Sequence, residues 1–193
     1  MWLLLALPAA AMAAWGLTGK KKDRGTGDAA AEVEPTYDTE ITMGRGWEDV
    51  SALATESLGW PYWWGKGAPS TPWEDGPGGV DCAGYVNMFL VELGCLSSTE
   101  PDRGVSALAN ICDPIEVGEQ QPGDMALYNG AGHVVMVAGP PGPDGHSPVV
   151  GASGKGSEDV GQNPNSHVKL YSTALYWDAF NCYMRLKPEH RLS

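Results

Sequence analysis

Apolar side chains change their spacing part-way along this chain, and that change limits the fold more than any other feature. Between residues 47 and 111 they recur at helical spacing. From residue 125 they come in short continuous or alternating runs cut by Gly, Pro, Asn and Asp. Trp47, Val50, Leu53, Ala54 and Leu58 predict a first amphipathic helix, ended by Gly59 and Pro61. Asp81 is a good N-cap for a second helix, with Val86, Phe89, Leu90 and Leu93 as its apolar stripe and Gly94 as its stop. Val105, Leu108 and Ile111 suggest a weaker third helix over 104–111. Met125–Tyr128, His133–Ala138, Pro148–Ala152, Val168–Tyr171 and Cys182–Leu186 then read as antiparallel strands. Asn129-Gly130 signals a turn between the first two, or part of a longer loop. Helices first and a meandering sheet second is an α+β order. The 26 Gly and 15 Pro fit many turns and argue against a helical bundle.

Residues 2–18 are uncharged and strongly apolar, spanning about 25 Å as a helix, slightly short of a ~30 Å hydrocarbon core. Ala11-Met12-Ala13 resembles a signal cleavage site, whereas Lys20–Lys22 follow the run as they do in a retained anchor. An anchor with that flank would leave the body on the cytoplasmic side. The expected organisation is a signal or anchor over 1–18, a linker over 19–45, one folded domain over 46–187 and a tail over 188–193. The formal net charge is -12, and Lys20, Lys21, Lys22 and Arg24 lie ahead of the domain, so the body is more acidic than the whole. Such a body repels phosphate backbones and argues against a nucleic-acid partner.

Cys82 would follow the N-cap Asp81 directly. In that first turn the helix dipole favours a thiolate and is expected to lower the cysteine pKa. Ala83 and Gly84 leave little bulk around the sulfur. A thiolate nucleophile needs a base. His190 lies in the charged tail, His146 in a loop expected to be solvated, and His167 before a short strand. His133 opens the most apolar strand, HVVMVA, a rigid mount for a base. Cys95, Cys112 and Cys182 read as core residues, and the absence of a C-x-x-C pair argues against structural zinc. The loop 60–80 carries Trp60, Trp63, Trp64 and Trp73, suited either to walling a groove or to packing on the core.

Five stretches occur in one order: Tyr62-Trp63-Trp64-Gly65, Asp81-Cys82-Ala83-Gly84-Tyr85-Val86, Gln121-Pro122-Gly123-Asp124-Met125, His133-Val134-Val135-Met136-Val137 and Val149-Val150-Gly151-Ala152-Ser153. Over about residues 46–187 this resembles the NlpC/P60 family of papain-like cysteine peptidases, which cleave bacterial cell-wall peptides. The resemblance implies Cys82 as nucleophile and His133 as general base. It implies Tyr62 beside the oxyanion and Asp81 as a cap that also contacts a substrate amine. The Pro122–Asp124 turn is expected to shape the sheet.

Three positions depart from the family pattern. Ala83 stands where serine is usual, and Lys66 replaces a glycine. Gly151 stands where a third polar residue, commonly histidine, is expected. Ser153, on the same strand face, is the candidate substitute; a backbone carbonyl, a water or His167 are the others. The implied activity is an exported, monomeric thiol hydrolase acting on peptidoglycan stem peptides, at the bond between D-γ-glutamate and a diamino acid. It would use no metal or organic cofactor and touch a membrane only through residues 2–18. A phage lysin fits as well as a bacterial enzyme. The alternatives are a degenerate cell-wall-binding module and a papain-like amidase or acyltransferase on another substrate.

Overall fold

In the computed structural model the described residues are 46–67, 78–99, 102–154 and 166–192. The expectations for 1–18 and 19–45, and Trp73, lie outside them. Among the described residues no helix is long and apolar enough to cross a membrane.

Three helices precede the sheet: α1 (Trp47–Glu56), α2 (Cys82–Glu92) and α3 (Val105–Asn110). Helix α1 buries Val50, Leu53 and Ala54 and stops two residues before Leu58. The reason is Ser57, a buried C-cap whose hydroxyl donates to Ala54 O and pairs with the Tyr85 hydroxyl at 2.8 Å. That bond ties α1 to α2. Asp81 caps α2 as expected, its Oδ1 accepting the Gly84 N–H at 2.7 Å. Tyr85, Val86, Phe89 and Leu90 are fully buried, and Asn87 Nδ2 donates to Ala83 O and to Arg103 O.

Six strands form one antiparallel sheet: β1 (Cys112–Ile115), β2 (Met125–Tyr128), β3 (His133–Val137), β4 (Val149–Ser153), β5 (His167–Tyr171) and β6 (Phe180–Leu186), in the order β1-β6-β2-β3-β4-β5. Five match the predicted runs. Strand β1 was not expected, because Asp113 and Pro114 disguise it, and it sits at an edge, where a proline is tolerated. The α+β class stands.

Both faces of the central strands are covered. Val134, Met136, Val150 and Ala152 join the helical core, while Val135, Val137 and Val149 pack with Tyr128, Ala174 and Tyr183 behind it. Burial on two sides explains why β3 reads as one continuous apolar run. Between β2 and β3, Asn129, Gly130 and Ala131 all have positive φ, so the loop is the longer of the two expected forms.

Gly151 belongs to this packing. A Cβ there would lie 2.9 Å from the Cβ of Val135 and closer still to its Cγ1. Gly151→Ala is therefore expected to overpack β3 against β4 and cost about 1–3 kcal/mol, measurable by urea denaturation. An unchanged midpoint would contradict this.

Candidate active site

A cleft of about 490 Å³ opens where the N-terminus of α2 meets the entry of β3 and the exit of β4. Cys82, His133, Tyr62, Asp81 and Ser153 all line it, so the fold brings the predicted site residues together. Its volume suits a small peptide fragment. Trp64 and Trp177, 53% and 40% exposed, stand at its rim.

The tryptophan cluster divides. Trp60 packs edge-on against Tyr85 in the core, and Trp64 faces the cleft. Lys66, the unexpected residue of that loop, lays its ammonium over the Trp63 ring at 5.1 Å.

Cys82 is the first residue of α2. Backbone N–H groups of Val134, Ala83 and Cys82 itself favour its thiolate, but burial outweighs them and, with the Asp81 charge, pushes the pKa up. This corrects the expectation that the helix start lowers it: the N–H groups at the helix start do favour the thiolate, and burial outweighs them. Burial pushes the His133 imidazole down to about 4. Burial thus disfavours the charged form of each partner, and no hydrogen bond joins them among the described residues.

Because a histidine ordinarily titrates at 6.5, the unfolded chain takes up a proton between pH 6.5 and about 4 that the folded chain refuses. The contribution is therefore full above pH 6.5 and lost as the pH falls towards 4. At pH 5 the loss is up to about 2 kcal/mol. His133→Gln is expected to remove this share of the acid sensitivity. Thermal melts at pH 7 and pH 5 check it; equal acid losses in both proteins would contradict it.

The surroundings of His133 hold what the sequence did not reveal. Its Nε2 lies 3.2 Å from the hydroxyl of Tyr176, in a 3-10 turn spanning Ala174–Tyr176. The ring is flanked by Tyr128 at 5.8 Å and by Trp177, edge-on, at 5.7 Å. Ser153 reaches the cleft, yet its buried Oγ makes no hydrogen bond. His167, paired with Ser153 across β4 and β5, lines a separate groove with Leu58 and Leu170. Neither bonds the imidazole.

Asp81 is similarly occupied. Its second oxygen accepts the Gly67 N–H at 3.0 Å, so each carboxylate oxygen accepts a backbone hydrogen bond. Tyr62 is held by its N–H to Ser166 O at 2.9 Å. His146, expected in solvent, packs on Phe180 and meets the Tyr183 hydroxyl at 3.2 Å, on the far side of the sheet. No disulfide joins any of the four cysteines; Cys95 and Cys112 are buried and Cys182 partly so.

No family model and no curated protein matches the chain. Solved structures do. The P60 domain of an antigen from M. avium subspecies paratuberculosis aligns over 76% of this chain and 97% of its own, at 20% identity and a TM-score of 0.51. The peptidoglycan hydrolase RipB of Mycobacterium tuberculosis aligns over 75% of this chain and 67% of its own, at 19% identity and a TM-score of 0.51. Helices feeding a cysteine-headed helix into the mouth of a six-stranded antiparallel sheet, together with these likenesses, give this chain the fold of the NlpC/P60 domains.

Proposed function

We propose that this protein is a cysteine peptidase of the cell wall, hydrolysing amide bonds in peptidoglycan stem peptides at the link between D-γ-glutamate and a diamino acid. One observation carries the chemistry: Cys82 at the head of α2 and His133 at the head of β3 face one cleft, with the backbone N–H of Val134 directed at the sulfur. The fold shared with RipB, a peptidoglycan hydrolase, supports the substrate class.

The chemistry runs in two halves. His133 takes the thiol proton as sulfur attacks the scissile carbonyl, and the imidazolium then protonates the departing amine, leaving a thioester on Cys82. The backbone N–H of Cys82 and the Tyr62 hydroxyl are the donors for the oxyanion. Water, deprotonated by His133, then attacks the thioester and releases the acid with free thiol. Asp81 caps α2 and holds the 62–67 loop through Gly67, and each of its oxygens keeps a lone pair with which to meet the substrate amine. No step needs a metal or organic cofactor.

The same reading has the 46–187 domain act as a monomer outside the cytoplasm, exported by residues 1–18 and spaced by 19–45. The test is incubation of the protein with purified diaminopimelate-type peptidoglycan and mass spectrometry of the soluble fraction. Fragments ending in D-γ-glutamate are expected. Sedimentation with the sacculi and no fragments would make it a binding module, and neither binding nor fragments would rule out this substrate.

A further inference from the structure

We propose that Tyr176 is the residue that positions His133: its hydroxyl accepts the imidazole Nε2–H, which leaves Nδ1 bare to take the proton of Cys82. This rests on the Cys82–His133 reading above and supplies the group that orients the base.

The geometry narrows the choice to this side chain. A neutral imidazole carries one proton, and the hydrogen bond at one nitrogen selects which form the other takes. Nε2 is engaged by Tyr176 at 3.2 Å, so Nδ1 is the nitrogen left for the thiol. The strand position expected to supply an orienting group is Gly151, and Val135 occupies the space its side chain would need. Ser153 makes no hydrogen bond to the ring. Of the described side chains, Tyr176 alone bonds the imidazole.

Tyr176 is also built to stay in place. Its ring stacks on Tyr171 at 3.7 Å and 11° and leans on Tyr128 at 5.3 Å. The turn that carries it is pinned at Ala174, whose N–H donates to Ser147 O at 2.9 Å and whose carbonyl accepts the Tyr128 hydroxyl at 2.8 Å. A group stacked on one face and braced by a second ring orients its partner without losing much freedom on doing so.

An accepting phenol must place its own proton elsewhere. Ser153 Oγ is the group available: it lines the same cleft as Tyr176 and is buried without a hydrogen-bond partner of its own. In the proposed arrangement His133 Nε2–H donates to Tyr176 Oη, and Tyr176 O–H donates to Ser153 Oγ. When Nδ1 receives the thiol proton, the Nε2 proton stays on the ring. Burial keeps the phenol neutral throughout, so no proton passes beyond His133. Ser153 thereby has a place in the site, one step further from the imidazole than the sequence suggested.

The test reads the tautomer directly. Long-range 1H–15N spectra of the full chain labelled with 15N-histidine at pH 7 should show His133 protonated at Nε2 with Nδ1 as a bare acceptor. Tyr176→Phe keeps the stacked ring and removes only the hydroxyl. It should leave a mixture of the two tautomers and lower kcat on peptidoglycan fragments about 10- to 100-fold with KM within about twofold. A wild-type His133 protonated at Nδ1 would overturn the proposal even if the variant failed to fold. A Tyr176→Phe spectrum identical to the wild type would overturn it too. Since the tautomer is read without substrate, failure of the peptidase reading would appear separately, as a wild-type protein that turns nothing over.

Discussion

Cys82→Ala is expected to lower hydrolysis of peptidoglycan fragments by at least about 10⁴-fold while leaving their binding intact. The loss is large because the sulfur is the only atom in the cleft that forms a bond to substrate in this account. Without it, His133 and the oxyanion donors have only a bulk water to activate, at a site built for a thiol on the first turn of α2. Binding survives because the walls of the cleft, Tyr62, Trp64 and Trp177 among them, are untouched. The fold survives as well, since alanine suits the first helical position and Asp81 still caps the helix through Gly84. Cys182→Ala is the control: that partly buried thiol, on the strand β6, is not among the residues lining the cleft, and its loss should leave kcat unchanged. Comparing kcat and the fragment Kd of both variants separates a nucleophile from a merely structural cysteine.

Asp124→Ala carries the largest expected loss of stability, about 3 kcal/mol. Asp124 is 1% exposed and accepts from Arg185 twice, Nε to Oδ1 and Nη2 to Oδ2, both at 2.9 Å, and from the Gln121 N–H at 2.6 Å. Its carbonyl also accepts the Val137 N–H at 2.9 Å, so the turn is stitched to the end of β3. Removing the carboxylate leaves Arg185 half-shielded with only the Glu119 carbonyl, and leaves the Gln121 amide without its acceptor. For a chain of this size that loss lowers the melting temperature by roughly 10 °C. Asp124→Asn keeps one acceptor and should lose less. Melting curves of the two variants decide; a shift below about 2 °C for alanine would mean that the paired geometry contributes little.

Asp124 also illustrates what was legible in the sequence. The Pro-Gly-Asp turn read as a device for shaping the sheet, and the structure gives that role a mechanism through Arg185, 61 positions along the chain. The head of α2 was legible because an N-cap acts locally, and β3 was legible because burial on both faces leaves an unbroken apolar run. Strand β1 was hidden by Asp113 and Pro114, whose local preferences oppose the pairing that β6 imposes.

The electrostatics of Cys82 were only half legible. A helix start can be read from residues 81–84, but the depth at which the sulfur is buried depends on β3 and on the turn that carries Tyr176. Tyr176 itself gave no signal. It stands 43 residues beyond His133 in a turn without apolar period, and the strand position expected to orient the base holds a glycine instead. The structure shows why that glycine is there: Val135 fills the space.

The most direct measurement is the mass of Cys82 during turnover. The protein is mixed with soluble diaminopimelate-containing stem peptides, quenched in acid within seconds and digested, and the peptide bearing Cys82 is weighed. A thioester is expected whose added mass equals the acyl half of the cleaved peptide ending in D-γ-glutamate, absent from Cys82→Ala and from every other cysteine. Product formed with no adduct on Cys82, or an adduct on Cys95, Cys112 or Cys182, would contradict it.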